Sequence, residues 1–367
     1  MTSRIPHLLE PYLSLPPESS LVLLTGVLGA STNWLVLRHL YALLRSAPKP
    51  SSDALRSAVA SLGEVVRRGI EGTAASASSS SAGEPNNSKR REWGRKDGED
   101  EDEDDDREAA VVLVSFLRDF TFWRDGLARL GIDLEAAGRR GRFAYVDGLP
   151  AGGLFSGGGG SAAGAGAGAE STAASLRQQG WRRTAVALAG PGDIRDTVLA
   201  CVEQLKKNHS PRQGVSSSAP SGDGSDGTTR AGRKVVLVID GLDFVLAAMD
   251  PNSRPGGPPE AAWTATGVKE VLTELREATH AAIVTLAADD PLIKEQETTL
   301  EKQHAWFALS LAHEADTVLS LRLLDTGAAQ DVSGVIRITN RRAPAQNHEY
   351  LYHVGGDGAV RVFERGQ

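Results

Sequence analysis

The residues whose types and spacing come nearest to chemistry are Thr25-Gly26-Val27-Leu28-Gly29-Ala30-Ser31-Thr32-Asn33, at the end of the short apolar run Leu21 to Thr25. A strand that turns through glycines into a helix can hold a phosphate, because backbone N–H groups wrap the oxyanion and a lysine neutralises it. The P-loop pattern needs GxxxxGK[ST]. Here Gly26 and Gly29 are too close together, and Ala30 stands where the lysine belongs. The plain reading is a strand-to-helix turn with Ser31 or Thr32 as the N-cap. A phosphate on that helix N-terminus would lack its cation.

Asp240 ends the apolar run Val235 to Ile239. In type and place it resembles the acidic residue that orients Mg²⁺ in P-loop NTPases; the alternative is a solvated loop carboxylate. Gly26, Gly29, Ser31, Thr32 and Asp240 are therefore the candidate residues of a vestigial nucleotide site. No Glu stands at the end of an expected strand, so a water-activating base is missing as well. The expectation is a chain with no catalytic residue and no cofactor of its own.

Other chemistries find less support. The eight histidines contain no HExxH, and the close pair His348 and His353 is five apart near an expected strand. Five residues along a strand reverse the face, which is poor geometry for sharing a metal, and no metal site is expected. Gly29-Ala30-Ser31-Thr32-Asn33 fails as a nucleophile elbow because no Gly follows two places after the Ser. Arg341 and Arg342, beside a turn at Pro344, are candidate RNA contacts through phosphate, as are Lys89 to Arg91; paired arginines in a turn are otherwise a solvated face. The single cysteine, Cys201, excludes an internal disulfide and fits a reducing compartment.

The elements that must position these residues alternate. After the first loop, Trp34, Leu37, Tyr41 and Leu44 recur at helical spacing. Val111 to Val114 repeats the apolar run, and Phe116, Phe120, Trp123, Leu127 and Leu130 are expected on one helical face. Phe143 to Val146 is a strand ending at Asp147, and Thr184 to Ala189 reads as another. Asp193 opens a helix with Ile194, Val198, Val202 and Leu205 inward, and Lys206 and Lys207 suit the dipole of its last turn. Val235 to Ile239 is apolar enough to be buried on both faces. Val268, Val271, Leu272 and Leu275 mark a helix, and Ala281 to Leu286 a strand. Thr317 to Leu324, Gly334 to Thr339, Glu349 to Val354 and Ala359 to Phe363 read as strands, the last three too close together for helices between them. The expected fold is α/β: a helix-covered, mostly parallel central sheet with antiparallel strands on its C-terminal side.

The 367 residues are 40% apolar, enough for a sizeable core. Glu71 to Glu108, Gly152 to Ser175 and Ser210 to Gly232 are rich in Ser, Gly, Ala or charge and are expected to be disordered insertions (71–108, 152–175, 210–232) in a single domain spanning 1–367; Pro251 to Pro259 is a shorter loop of the same kind. The net charge of -7 is carried by the acidic run Glu99 to Asp106, so the rest of the chain is nearly neutral and gives no general preference for nucleic acid. No stretch approaches the ~20 apolar residues of a membrane span, and the N-terminal residues do not have the form of a secretory signal. Cytosol or nucleus is the expected location.

With the strand ends in view, the sequence resembles the family of the sixth subunit of the Elongator complex. The block Val114-Ser115-Phe116-Leu117, Phe122-Trp123 and Gly126-Leu127 to Leu130-Gly131 carries the resemblance, with the tail Asp331-Val332-Ser333-Gly334-Val335-Ile336-Arg337 and Glu349-Tyr350-Leu351-Tyr352. The DVSG segment occurs in other RecA-like proteins and supports the fold more than the family. The resemblance covers every expected folded segment but not the three insertions. It implies a RecA-like three-layer sandwich with a degenerate P-loop. It also implies partners: Elongator subunits four and five in a heterohexameric ring, the remaining Elongator subunits, and tRNA bound by the assembled ring. The function implied is support of carboxymethyl-type modification of the wobble uridine, with no catalytic residue in this chain. The rival readings are a free-standing RecA-like ATPase of the recombination type, which needs an intact P-loop, and a scaffold or nucleotide sensor outside Elongator.

Overall fold

Strand β1 (Ser20–Gly26) is apolar from Leu21 through Leu24 because both of its faces are covered, and the same holds for the bodies of β2 (Ala110–Ser115) and β5 (Val235–Asp240). In the computed structural model these strands lie inside a ten-stranded sheet of order β10-β9-β8-β7-β1-β6-β5-β2-β3-β4. The other members are β3 (Phe143–Asp147), β4 (Arg183–Ala185), β6 (Ala281–Ala287), β7 (Thr317–Arg322), β8 (Gly334–Asn340), β9 (His348–Val354) and β10 (Val360–Phe363). Pairing is parallel from β7 through β1, β6, β5, β2 and β3 to β4, and antiparallel from β7 through β8 and β9 to β10. The connections explain the change of sense, since the segments between β8, β9 and β10 are too short in sequence for a crossover.

The structure describes residues 4–45, 109–148, 183–185, 191–207, 233–248, 264–324, 329, 331–343 and 347–364. They belong to one compact unit drawn from Met1–Arg45 and Asp105–Gln367. The insertions expected at 71–108, 152–175 and 210–232, the loop at 251–259, the acidic run, Lys89 to Arg91 and Pro344 lie outside the described residues. So do residues 186–189 of the strand expected at Thr184 to Ala189.

The helices are α1 (Glu10–Leu13), α2 (Asn33–Leu44), α3 (Phe120–Leu130), α4 (Leu134–Arg139), α5 (Pro191–Lys207), α6 (Phe244–Ala248), α7 (Ala265–Glu277) and α8 (Thr299–Glu314). Alternate residues of each strand face opposite sides of the sheet, which sorts the core into two layers. Val22, Leu24, Val111, Leu113, Phe143 and Tyr145 pack with α2, α3 and α4 on one side. Leu21, Leu23, Val112, Val114, Leu237 and Val284 pack with α5, α7 and α8 on the other. This is a three-layer α/β architecture with a mostly parallel sheet.

Two local expectations are corrected. Phe116 is not on the helical face with Phe120 and Trp123: β2 runs to Ser115, and α3 begins only after Asp119, whose carboxylate accepts the Phe122 N–H at 2.9 Å as its N-cap. Phe116 instead packs in the opposite layer from Phe120, because it still follows the strand's alternation. The strand expected to reach Leu324 ends at Arg322, and Leu323 is left 47% exposed.

Helix α8 was not legible in the sequence. Its capping box is in place, with the Glu301 N–H on the Thr298 hydroxyl and the Thr298 N–H on the Glu301 carboxylate. Its apolar residues, however, run round the helix: Phe307, Ala308 and Leu311 are buried, while Trp306 and Leu309 face outward, each 46% exposed. The one-sided 3.6-residue period that identifies a surface helix is therefore blurred.

Candidate functional site

The carboxyl ends of β1, β6, β5 and β2 lie side by side, the place where open α/β sheets bind ligands. From β1 the chain enters a tight turn in which the Ala30 N–H donates to the Val27 carbonyl at 2.8 Å. Gly29 sits at φ 89°, a left-handed conformation open to glycine at no steric cost. The turn tucks the Ala30 side chain into the core at 1% exposure and throws Leu28 outward at 86%. Thr32 occupies the N-cap position of α2, with the Leu35 and Val36 N–H groups on its carbonyl, but its side chain caps nothing. The capping is done by Ser31, whose hydroxyl accepts the Asn33 N–H at 3.2 Å.

This loop offers little to a phosphate. The Ala30 amide is used inside the turn, and the Leu28 N–H donates to the Asp289 carboxylate at 2.7 Å. An anion already sits on an amide of the loop, and it would repel a second one.

Asp240, the last residue of β5, is 1% exposed. It accepts the Ser115 hydroxyl at 2.9 Å from the end of β2 and the Thr285 hydroxyl at 3.3 Å from β6. Thr285 in turn accepts the Gly241 N–H at 2.7 Å, and Ser115 accepts the Arg118 N–H at 3.1 Å. Burial pushes the Asp240 pKa up, against the two hydroxyl bonds and the Arg118 charge, which pull it down. One turn on, Asp243 accepts the Ala287 N–H at 3.0 Å and lies 3.2 Å from Nε2 of His304, which is buried on α8.

As arranged, these groups do not fit Mg²⁺ and a nucleotide. A cation ligand needs an ionised carboxylate facing an open site, and Asp240 is enclosed by hydroxyls, with burial raising its pKa and so disfavouring the charged form. What the network does is tie the carboxyl ends of β2, β5 and β6 together. Ser115, Thr285, Asp243, His304 and Asp289 were missed as partners in the sequence. The available signal was a lone polar residue within or at the end of an apolar strand, Thr285 in AAIVTLA and Ser115 in AVVLVS.

The raised Asp240 pKa carries a pH consequence. The folded chain keeps a proton that the unfolded chain releases near pH 4, so this contribution is complete below about pH 4 and is lost as pH rises through the folded value. Asp240→Asn is expected to remove that loss and to flatten the fall in stability above pH 4, as read from urea melts at pH 4, 5.5 and 7. Parallel curves for variant and wild type would show that Asp240 titrates as an ordinary surface carboxylate.

The two candidate tRNA contacts lie away from this edge, just past the carboxyl end of the antiparallel strand β8. Arg341 donates to the carbonyls of His313 and Glu314 at the end of α8, at 3.2 and 3.4 Å, and the Arg342 Nε donates to Asp316 at 2.7 Å. Both are exposed and both are engaged within the chain. His348 stacks on Tyr350 with ring centroids 5.5 Å apart. Among the described residues no group of three or more His, Cys, Asp or Glu is placed to hold a metal, and no helix is long and apolar enough to cross a membrane.

No protein-family model and no curated protein matches the chain. Among solved structures it is similar to a KaiC-like protein from the hyperthermophilic archaeon Pyrococcus horikoshii, at 14% identity and a TM-score of 0.44, over 99% of this chain and 98% of that one. It is also similar to an uncharacterized protein from Pyrococcus horikoshii in complex with an unknown peptide, at 12% identity and a TM-score of 0.45, over the full length of both. What the chain's own strand order and pairing establish is its class: an α/β protein with helices on both faces of a mostly parallel central sheet and antiparallel strands at its C-terminal side.

Proposed function

We propose that the chain is a non-catalytic RecA-like subunit of the Elongator complex, assembling with subunits four and five into a heterohexameric ring. In this reading the ring binds tRNA and supports carboxymethyl-type modification of the wobble uridine, in the cytoplasm and also the nucleus. The observation that supports a non-catalytic role best is the first loop, where the Leu28 amide is held by Asp289 and Ala30 is packed into the core. The Elongator assignment itself rests on the sequence resemblance in the Val114 to Gly131 block and the C-terminal strands. Assembly would cover the apolar side chains exposed at the sheet's carboxyl edge, Leu28, Leu117 and Leu323. A tRNA contact by Arg341 or Arg342 would have to compete with the α8 carbonyls and Asp316.

The test is affinity purification of the tagged full chain with mass spectrometry, alongside nucleoside analysis of a deletion strain. Recovery of subunits four and five, with loss of the modified wobble uridine from bulk tRNA, is expected. Normal levels of that uridine in the deletion strain would reject the assignment outright, and recovery of a different set of partners would favour a scaffold outside Elongator.

A further inference from the structure

A polar cleft lies apart from the first loop. Helix α3 approaches α2 closely at Gly126, where a Cβ would lie 2.8 Å from the end of the Leu37 side chain and would require it to move. Beside this contact is that cleft, of about 340 Å³, walled by Arg4, by Arg38 of α2, by Arg129 in the last turn of α3, and by Asp357 and Gly358 of the β9–β10 turn. Helix α3 starts just past the carboxyl end of β2, so its last turn lies toward the opposite end of the sheet from the candidate site.

Arg38 is the unusual member. It is 3% exposed, one terminal nitrogen donates to the Gly358 carbonyl at 2.9 Å, and its buried Nε has no hydrogen-bond partner among the described residues. Burial pushes its pKa down, with no carboxylate among the causes that raise it. Arg4 and Arg129 are exposed, and among the described residues neither is in an ion pair; Arg4 lies 6.0 Å from the centre of the Tyr41 ring. The single carboxylate in the wall, Asp357, accepts the Ala359 N–H at 2.9 Å. Three arginines thus line a cleft that holds one carboxylate, and the most buried of the three spends one terminal nitrogen on the Gly358 carbonyl.

A guanidinium taken out of water without an anion is costly, and the fold keeps this one in a concave wall flanked by two others. We propose that the cleft is a phosphate-binding site. A phosphate presents enough oxygens to be shared among three guanidiniums, whose planar forks match it in bidentate geometry. The volume is at the low end for a ligand pocket, ~300–1,000 Å³, which suits a phosphate or pyrophosphate group better than a whole dinucleotide. The group could arrive as a free phosphoester or as part of a nucleic-acid backbone, and the two sources differ in how they should respond. The site stands on its own residues and does not depend on the ring assignment.

The experiment uses the full chain and two probes, inorganic pyrophosphate and a single-stranded oligoribonucleotide lacking terminal phosphates, by calorimetry and melting temperature at matched ionic strength. Substituting Arg38 risks the fold, so the test is carried by the exposed pair in Arg4→Ala/Arg129→Ala, whose melting temperature without ligand should stay close to wild type. Binding of pyrophosphate that weakens at least tenfold in the double variant supports the site and assigns it to free phosphoesters. The same loss seen with the oligonucleotide alone supports it and assigns it to backbone phosphate. Binding of neither probe by wild type, or equal affinity in wild type and the double variant, overturns it.

Discussion

Replacing Ala30 by Lys is expected to destabilise the protein severely and to give no ATP turnover, although it supplies the residue type that phosphate-binding loops carry. The Ala30 side chain is 1% exposed and belongs to the core layer that includes Trp34 and Leu35. Among the described residues no buried carboxylate lies in that layer, Asp240 being enclosed at the end of β5 by Ser115 and Thr285, and an uncompensated buried charge costs on the order of 3–5 kcal/mol. That is a large share of a total stability of roughly 5–15 kcal/mol. The backbone also resists activation, since the Ala30 N–H is bonded to Val27 and the Leu28 N–H to Asp289. Leu28→Lys is the control: at 86% exposure it should change stability by less than about 0.5 kcal/mol. Urea melts and a phosphate-release assay decide the matter. A stable Ala30→Lys protein that turns over ATP above background would refute the reading of this loop.

The second large effect is expected at Trp123. Its side chain is fully buried between α3 and the sheet, and its ring meets Phe122 edge to face with centroids 5.1 Å apart. Trp123→Ala should cost ~3–5 kcal/mol, because it loses both the buried area and the contacts of the atoms that lined it. Trp123→Phe should cost far less, since it fills most of the volume and also removes the indole N–H, which is buried without a partner among the described residues. Equal losses in the two variants, measured by the same melts, would show that the indole nitrogen is doing the stabilising and not the volume.

The same residues show what could be read without coordinates. The apolar runs at Leu21, Val111, Phe143, Val235 and Ala281 identified buried strands, because a strand covered on both faces must be apolar at consecutive positions. The stretch that α8 occupies could not be read in this way, since its Trp306 and Leu309 face solvent and erase the period. Phe116 was misplaced for a related reason: the spacing to Phe120 fits a helix, but Asp119 caps the helix later and leaves Phe116 to the strand's alternation.

The sequence by itself determined the alternation of strand and helix, the antiparallel close, the absence of a GxxxxGK[ST] pattern between Gly26 and Thr32, and the place of Asp240 at a strand end. Each of these is a local property, fixed by periodicity, by connection length or by the identity of one residue. Tertiary structure alone decided that β6 lies between β1 and β5, that Asp240 is enclosed by Ser115 and Thr285, and that Asp289 holds the Leu28 amide across 261 positions of sequence. It also decided that Arg4, Arg38, Arg129 and Asp357 share one cleft. Such pairings depend on which strands become neighbours and how two helices cross, and those outcomes are set by the packing of the whole core rather than by any stretch of chain that could be read alone.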